Sequence, residues 1–131
     1  MPKDIKITAG DVKVEAQLND SATAKLISEA LPIKARAQRW GDEIYFSIGV
    51  KAKLEKGGRE VVEAGELGYW PSGNAFCMFF GPTPASEGDE IRAASAVNII
   101  GKMKGDWSGL KNVRSGASVL IEAAQRSSAA D

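Results

Sequence analysis

The chain has 131 residues, 44% of them hydrophobic, and its 17 basic and 17 acidic residues give a formal net charge of zero. A chain of this length can bury one core without a metal or a disulfide, so we expect a single domain over residues 1–131. Charge is evenly spread and the longest apolar run has six residues. We therefore expect neither a nucleic-acid partner nor a membrane span.

The residue types that the sequence lacks exclude several kinds of chemistry. It contains no histidine and one cysteine, Cys77, which excludes histidine-based nucleophile activation, histidine-ligated metals and paired-cysteine redox sites. No glycine-rich phosphate-binding loop is present. We expect no metal and no cofactor. A single cysteine and an N-terminus without a signal-like apolar segment predict a cytoplasmic protein.

Alternating apolar residues predict two strands near the N-terminus, over residues 4–8 and 12–18, which form a hairpin. A short helix follows, with Asp20 or Ser21 as its N-cap, and ends near Pro32. Its apolar side is expected to consist of Leu26, Ile27, Ala30 and Leu31.

The alternating pattern returns from residue 33, and Gly41-Asp42 predicts a two-residue turn before a strand that reaches residue 50. This turn sets the strand register. The predicted cross-strand pairs are Trp40 with Glu43, Gln38 with Tyr45, and Arg36 with Ser47. All six side chains are expected on the face away from the core.

Further strands are predicted over residues 59–63, 66–70, 75–80, 96–103 and 118–123. Residues 106–113 predict a helical turn, and residues 125–131 have nothing to bury and are expected to fray. The pattern is typical of an all-β protein with roughly eight strands and one or two short helices. It favours a closed barrel, because closure removes exposed sheet edges.

Four segments, "RWGDEIYFSI", "GELGYW", "FFGPTP" and "VNIIGKM", resemble the cyclophilin-like family of small bacterial and archaeal proteins. The similarity runs from about Ile5 to about Ala123. It implies a closed eight-stranded cyclophilin-like β-barrel, related in fold to the peptidyl-prolyl isomerases. The chain departs from the isomerases in having no histidine and no stretch with their arginine, phenylalanine and glutamine spacing.

The outward face of the predicted hairpin is the first candidate site. It collects Arg36, Gln38, Trp40, Glu43 and Tyr45. A cation, an amide, a carboxylate and two aromatic side chains could hold a small polar ligand. The alternative is a solvated sheet face with ordinary ion pairs.

The run "AFCMFF" is apolar at every position, so both faces of this strand must be covered. The helix and the loop over residues 81–92 are the candidate covers. Phe79 and Thr83 are the residues expected near a ligand, whereas Phe76, Cys77, Met78 and Phe80 are assigned to the core. Asn98 interrupts an apolar strand and either binds backbone groups or lines the pocket.

We therefore expect a small molecule or a proline-containing peptide to bind in a pocket on the outer side of the barrel, between the hairpin and the 81–92 loop. One alternative is an enzyme. Arg36 would polarise an amide in prolyl isomerisation, or Glu43 would act as a base on a metabolite. The other is an interaction module, in which the aromatic patch contacts another protein or forms a homodimer.

Overall fold

A computed structural model describes residues 3–124, which form mainly β structure. The strands are β1 (Lys3–Ala9), β2 (Val12–Leu18), β3 (Ile33–Arg36), β4 (Gln38–Arg39), β5 (Glu43–Ser47), β6 (Arg59–Val62), β7 (Glu66–Trp70), β8 (Ala75–Phe79), β9 (Ile91–Lys104) and β10 (Ser118–Ala123). The helix α1 covers Ala22–Ala30, and two 3-10 helices cover Pro71–Gly73 and Ser108–Asn112. The second of these lies in the predicted helical turn. The fraying expected for residues 125–131 lies outside the described residues.

The strands form one antiparallel sheet in the order β3-β10-β1-β2-β9-β7-β8-β5-β4, and β6 pairs with β9 beside this path. Hydrogen bonds do not close this sheet, so the β class is confirmed and the closed barrel is not. The described part of the chain has ten strands instead of eight. One reason is a break at Ala37, whose N–H and C=O bind Ala117 and Gly116. This break separates β3, which pairs with β10, from β4, which pairs with β5.

The predicted register of the central hairpin holds near its turn. Gln38 pairs with Tyr45, and the Trp40 N–H donates to the Glu43 carbonyl at 3.0 Å. The turn needs glycine because Gly41 has a φ of +63° and an added Cβ would meet the Pro84 ring and the backbone of residues 82 and 83. The predicted pair of Arg36 with Ser47 is wrong, since Arg36 pairs with Ser118 of β10.

The helix begins where the sequence indicates. Ser21 is its N-cap, and the Ser21 hydroxyl accepts a hydrogen bond from the Ala24 N–H at 3.2 Å. The helix buries Thr23, Ala24 and Ile27. Leu26 is 43% exposed and Ala30 is exposed as well, so the predicted apolar side is wrong at these two positions. No helix among residues 3–124 has the length and apolar content needed to cross a membrane.

Strand β8 is buried at all five positions and lies between two hydrophobic cores. Phe76 and Met78 belong to the larger core, and Cys77 and Phe79 to a smaller one on the outer side of the sheet. The prediction that both faces are covered is confirmed. The smaller core consists of Val62, Ala75, Cys77, Phe79, Ile91, Ala93 and Val97.

The outer cover of β8 comes from β6 and β9 and not from the predicted helix. Of the predicted 81–92 loop, Ile91 contributes, as the first residue of β9. Strand β9 begins at Ile91 instead of residue 96 and has 14 residues. Its second half pairs with β2 and β7, and its first half pairs with β6. The early part of β9 therefore places Ile91, Ala93 and Val97 over the outer face of β8.

The close approach of β9 to β2 gives a stability prediction. Gly101 pairs with Leu18, and a Cβ at Gly101 would overlap the Gln17 carbonyl group. Because this neighbour is backbone, we expect Gly101→Ala to lower the free energy of unfolding by about 2 to 3 kcal/mol.

Urea unfolding followed by circular dichroism measures this change. Gly49→Ala is the matched control, because no atom lies within 4 Å of an added Cβ there and φ is not positive. Equal stabilities of the two variants would contradict the assigned contact between β9 and β2.

Candidate functional site

A pocket of about 190 Å³ lies on the outer side of the sheet, where β5 and β8 meet the first half of β9. We call it the aromatic pocket. Its lining consists of Trp40, Glu43, Tyr45, Trp70, Cys77, Ala93, Ala94 and Val97.

Strand alternation places the β5 and β8 side chains in this pocket. Ile44 and Phe46 of β5 point into the larger core, so Glu43 and Tyr45 point outward. Tyr45 pairs with Cys77 across the two strands, which brings the thiol to the same face. The pocket floor is therefore a consequence of ordinary strand geometry and the β5–β8 register.

The walls come from two tryptophans and from β9. Trp40 follows β4, and its N–H bonds to the Glu43 carbonyl across the turn. Trp70 ends β7, and its indole Nε1 donates to the Ser95 hydroxyl at 2.6 Å, which holds the ring against β9. At the β9 wall, Ala93 and Ala94 have small side chains that leave room between the aromatic rings.

Glu43 is the buried acidic group of the pocket. Glu43 is only 5% exposed. It takes part in no ion pair within residues 3–124. Burial raises the pKa of Glu43 from 4.5 to about 7, and a hydrogen bond with the Cys77 thiol opposes this rise. Burial, and then the charge of Glu43, raise the pKa of Cys77, so the thiol stays protonated.

This arrangement can do two things chemically. Below about pH 7 the Glu43 carboxyl is neutral and can donate a hydrogen bond, and above it the carboxylate accepts bonds and attracts a cation. The volume corresponds to about six water molecules at their share of liquid volume. The pocket therefore accommodates a small molecule or one end of a larger ligand.

Three of the predicted site residues, Trp40, Glu43 and Tyr45, come together in this pocket. Gln38 is exposed on β4 and does not line it. Arg36 lies elsewhere, because the break at Ala37 assigns it to β3. Its guanidinium donates to the Gly116 carbonyl at 3.0 Å, and it lines a separate open groove.

Phe79 and Thr83 do not line the aromatic pocket. Phe79 is fully buried in the smaller core, because β9 covers the outer face of β8. Thr83 is also buried, and its hydroxyl donates to the Arg92 carbonyl and accepts from the Ala85 N–H. Both residues hold β8 and the following loop in place against β9.

Asn98 binds backbone groups, which is one of the two alternatives that the sequence left open. Its side-chain oxygen accepts from the Glu55 N–H at 2.6 Å, and its amide donates to the Lys53 carbonyl and the Thr23 hydroxyl, each at 2.9 Å. The oxygen and the nitrogen of this buried amide are thus both hydrogen-bonded, and these bonds join the 53–55 loop and α1 to β9.

Five of the eight lining residues were not among the sequence candidates for ligand contact, namely Trp70, Cys77, Ala93, Ala94 and Val97. Cys77 was assigned to the core, although it has the same strand parity as Phe79 and its partner Tyr45 was predicted to face outward. The parity was readable from the sequence, whereas the pairing of Cys77 with Tyr45 is known only from the structure. The position of Trp70 depends on how β7, β8 and β9 pair, and no local pattern specifies that.

The acidic loop after β8 is held by its own hydrogen bonds. The Glu90 carboxylate accepts from the Glu87 and Gly88 N–H groups, each at 2.8 Å, and pairs with Arg92 at 3.1 Å. The Glu87 bond is the largest cause that lowers the pKa of Glu90 to about 2. Within the described residues, no group of three or more acidic, cysteine or histidine side chains could hold a metal ion.

Comparison with known proteins agrees with this geometry. A family model described as Cyclophilin-like matches residues 3–122. The solution structure of a hypothetical protein from Archaeoglobus fulgidus matches with a TM-score of 0.81 and 43% sequence identity, over 93% of this chain and 95% of that one. A comparison with curated proteins gives no match.

The position of Asn98 predicts a structural role. Asn98→Ala leaves the Glu55 N–H, the Lys53 carbonyl and the Thr23 hydroxyl without this partner, so we expect the free energy of unfolding to fall by about 2 to 3 kcal/mol. Urea unfolding measures it. Gln38→Ala, at an exposed position, is the control and should change stability by less than about 0.5 kcal/mol. A stable Asn98→Ala protein would show that the loop is held by other contacts.

Glu43 should make stability depend on pH. Below the ordinary pKa of 4.5, Glu43 is protonated in both the folded and the unfolded state. Its ionisation therefore does not change the free energy of unfolding at these pH values. Between 4.5 and about 7 the unfolded state loses the proton first, and stability falls as pH rises. Relative to Glu43→Gln, the wild-type protein should lose about 3 kcal/mol between about pH 4 and about pH 8.

Urea unfolding of both proteins across this pH range checks the expectation. Glu29→Gln, an exposed helix position, is the control and should follow the wild-type curve. A pH-independent difference between wild type and Glu43→Gln would show that Glu43 ionises normally.

Proposed function

The chain belongs to the cyclophilin-like family, and from this premise we propose that it binds a small molecule, or one side chain of a short peptide, in the aromatic pocket. Family membership supports the architecture, but a fold hosts many functions, so the site must carry the functional argument. The observation that carries it is Glu43, which is buried in the floor of an apolar pocket and has no ion-pair partner among the residues that the structure describes.

A buried carboxyl is costly to the fold, and a leucine or methionine at position 43 would pack there without that cost. Aromatic side chains surround it, and Trp40 and Tyr45 remain partly exposed at the pocket. Apolar walls with one well-placed polar group are typical of small-molecule sites. Ligand binding gives a reason for this combination that packing alone does not.

The enzymatic alternatives differ in their support. The geometry does not support prolyl isomerisation with Arg36 as the polarising group, because Arg36 donates a hydrogen bond to the Gly116 carbonyl at a separate groove. Proton transfer by Glu43 is a second candidate function. It is favoured by the Glu43 pKa of about 7, which suits a general acid or base near neutral pH.

A self-association function stays an alternative, since the aromatic pocket could contact a second copy. Light scattering after size-exclusion chromatography separates it from ligand binding. A dimer that the substitution Trp40→Ala converts to monomer would favour self-association. A monomer favours an open pocket.

An NMR screen of small fragments tests the proposed site. Hits should shift the indole signals of Trp40 and Trp70 and the amide signals of residues 93–97. The Trp107 indole is the internal reference, because Trp107 lies at another pocket, beside Phe80.

A substitution that fills the pocket shows whether the fragments bind inside it. Ala94 lines the pocket at an exposed position, so Ala94→Phe should weaken hits at least about tenfold without disturbing the core. Ala64→Phe, at an exposed position outside the lining, is the matched control. Hits that map to other surfaces, or that bind both variants equally well, would disprove the site.

A further inference from the structure

We propose that the ligand group held in the aromatic pocket is a small organic cation of the alkylammonium class, with the Glu43 carboxylate as its counter-ion and the rings of Trp40, Tyr45 and Trp70 around it. This inference rests on the proposed function and specifies its ligand class. It follows from three features of the pocket: a carboxyl with no basic side chain beside it among the described lining residues, aromatic walls and a small volume.

The first feature is the charge balance around Glu43. The titratable groups that share the pocket with it are the Cys77 thiol of β8 and the Tyr45 phenol of β5. On the adjoining strand β4, Arg39 pairs with Asp42 at 3.4 Å, and its guanidinium carbon lies 5.2 Å from the centre of the Phe80 ring. Phe80 belongs to the larger core, so Arg39 is directed away from the outer pocket.

The cations of the neighbouring β6–β9 sheet are also engaged. Arg92 pairs with Glu60 at 2.8 Å and with Glu90 at 3.1 Å, and Arg59 pairs with Glu66 at 2.7 Å. Within residues 3–124 no basic side chain therefore lines the aromatic pocket or pairs with Glu43. When Glu43 is ionised, the charge that complements it must therefore come from the ligand.

The second feature is the aromatic wall. The faces of indole and phenol rings carry negative electrostatic potential and attract ammonium groups, most strongly where water is excluded. The carboxylate therefore attracts a cation through its charge, and the two indole rings and the phenol ring attract it through their quadrupoles. An anionic group would be repelled by the ionised Glu43, and the Trp70 N–H is already bonded to Ser95.

The third feature is size. A pocket of about 190 Å³ is smaller than the usual range for a drug-sized ligand, so it suits a compact head group. A neutral apolar group of this size would fill the space but leave the carboxyl unpaired. An alkylammonium group can both contact the aromatic rings of the walls and form an ion pair with the carboxylate.

The proposal requires a specific pH dependence. A cation binds the ionised form of Glu43, whose pKa is about 7 in the free protein. Affinity should therefore fall about tenfold for each pH unit below that pKa and stay level above it. Cys77 does not contribute at these pH values because burial raises its pKa.

Fluorescence titration with two probes tests the inference. Choline carries a quaternary ammonium group, and 3,3-dimethylbutan-1-ol is its uncharged isostere. Trp107→Phe removes the indole outside the pocket and leaves Trp40 and Trp70 as reporters. We expect choline to quench their emission saturably, with an affinity at least about tenfold above that of the alcohol at about pH 8.

Glu43→Gln keeps the shape and removes the charge. It should reduce choline affinity at least about tenfold, leave alcohol binding unchanged and abolish the pH dependence. Glu29→Gln, on the exposed side of α1, should bind like the wild type. Circular dichroism at each pH confirms that both variants are folded.

The inference is overturned if choline gives no saturable response, if the alcohol binds as tightly as choline, or if Glu43→Gln retains choline affinity. None of these results disproves the pocket itself when neutral fragments still bind there. Failure of the proposed function is recognised separately, by a fragment screen without hits that respond to Ala94→Phe.

Discussion

The burial of β8 on both faces is the constraint on which the rest of the structure depends. Its five residues are all buried, so the strand needs a second hydrophobic layer beyond the sheet. The first half of β9, with Val62 of β6, supplies that layer. A strand of 14 residues is needed because the same β9 also joins β2 to β7 within the main sheet.

The aromatic pocket forms where this outer layer is incomplete. Val97 covers the part of β8 near Phe79, but Ala93 and Ala94 are too small to fill the space above Cys77 and Glu43. The pocket is thus bounded by the same elements that complete the smaller core. Pairing between β5 and β8 and the hydrogen bond between Trp70 and Ser95 hold the walls of the pocket in place. A preformed site of this kind loses little conformational entropy when a ligand binds.

Local rules in the sequence predicted three of the eight residues that line the aromatic pocket. Trp40, Glu43 and Tyr45 share a face because a two-residue turn and strand alternation determine their positions over a few residues. Arg36 is only two residues before Gln38, yet the break at Ala37 sends it to another strand pair. That break depends on hydrogen bonds to residues 116 and 117, about 80 positions away. The sequence likewise did not show that β9 residues cover Phe79 or that Asn98 bonds to the 53–55 loop, because these contacts are distant in the chain.

The amino-acid sequence by itself determined the β class, the hairpin turn at Gly41, a helix cap at Asp20 or Ser21 and the need to cover both faces of β8. Each follows from backbone geometry or hydrophobic periodicity within a short window. Only the tertiary structure decided that β9 is the cover and that Glu43, Cys77 and Trp70 meet. Burial of a carboxyl depends on how completely separate strands exclude water from it. Its raised pKa is therefore a property of the assembled fold and not of any local segment.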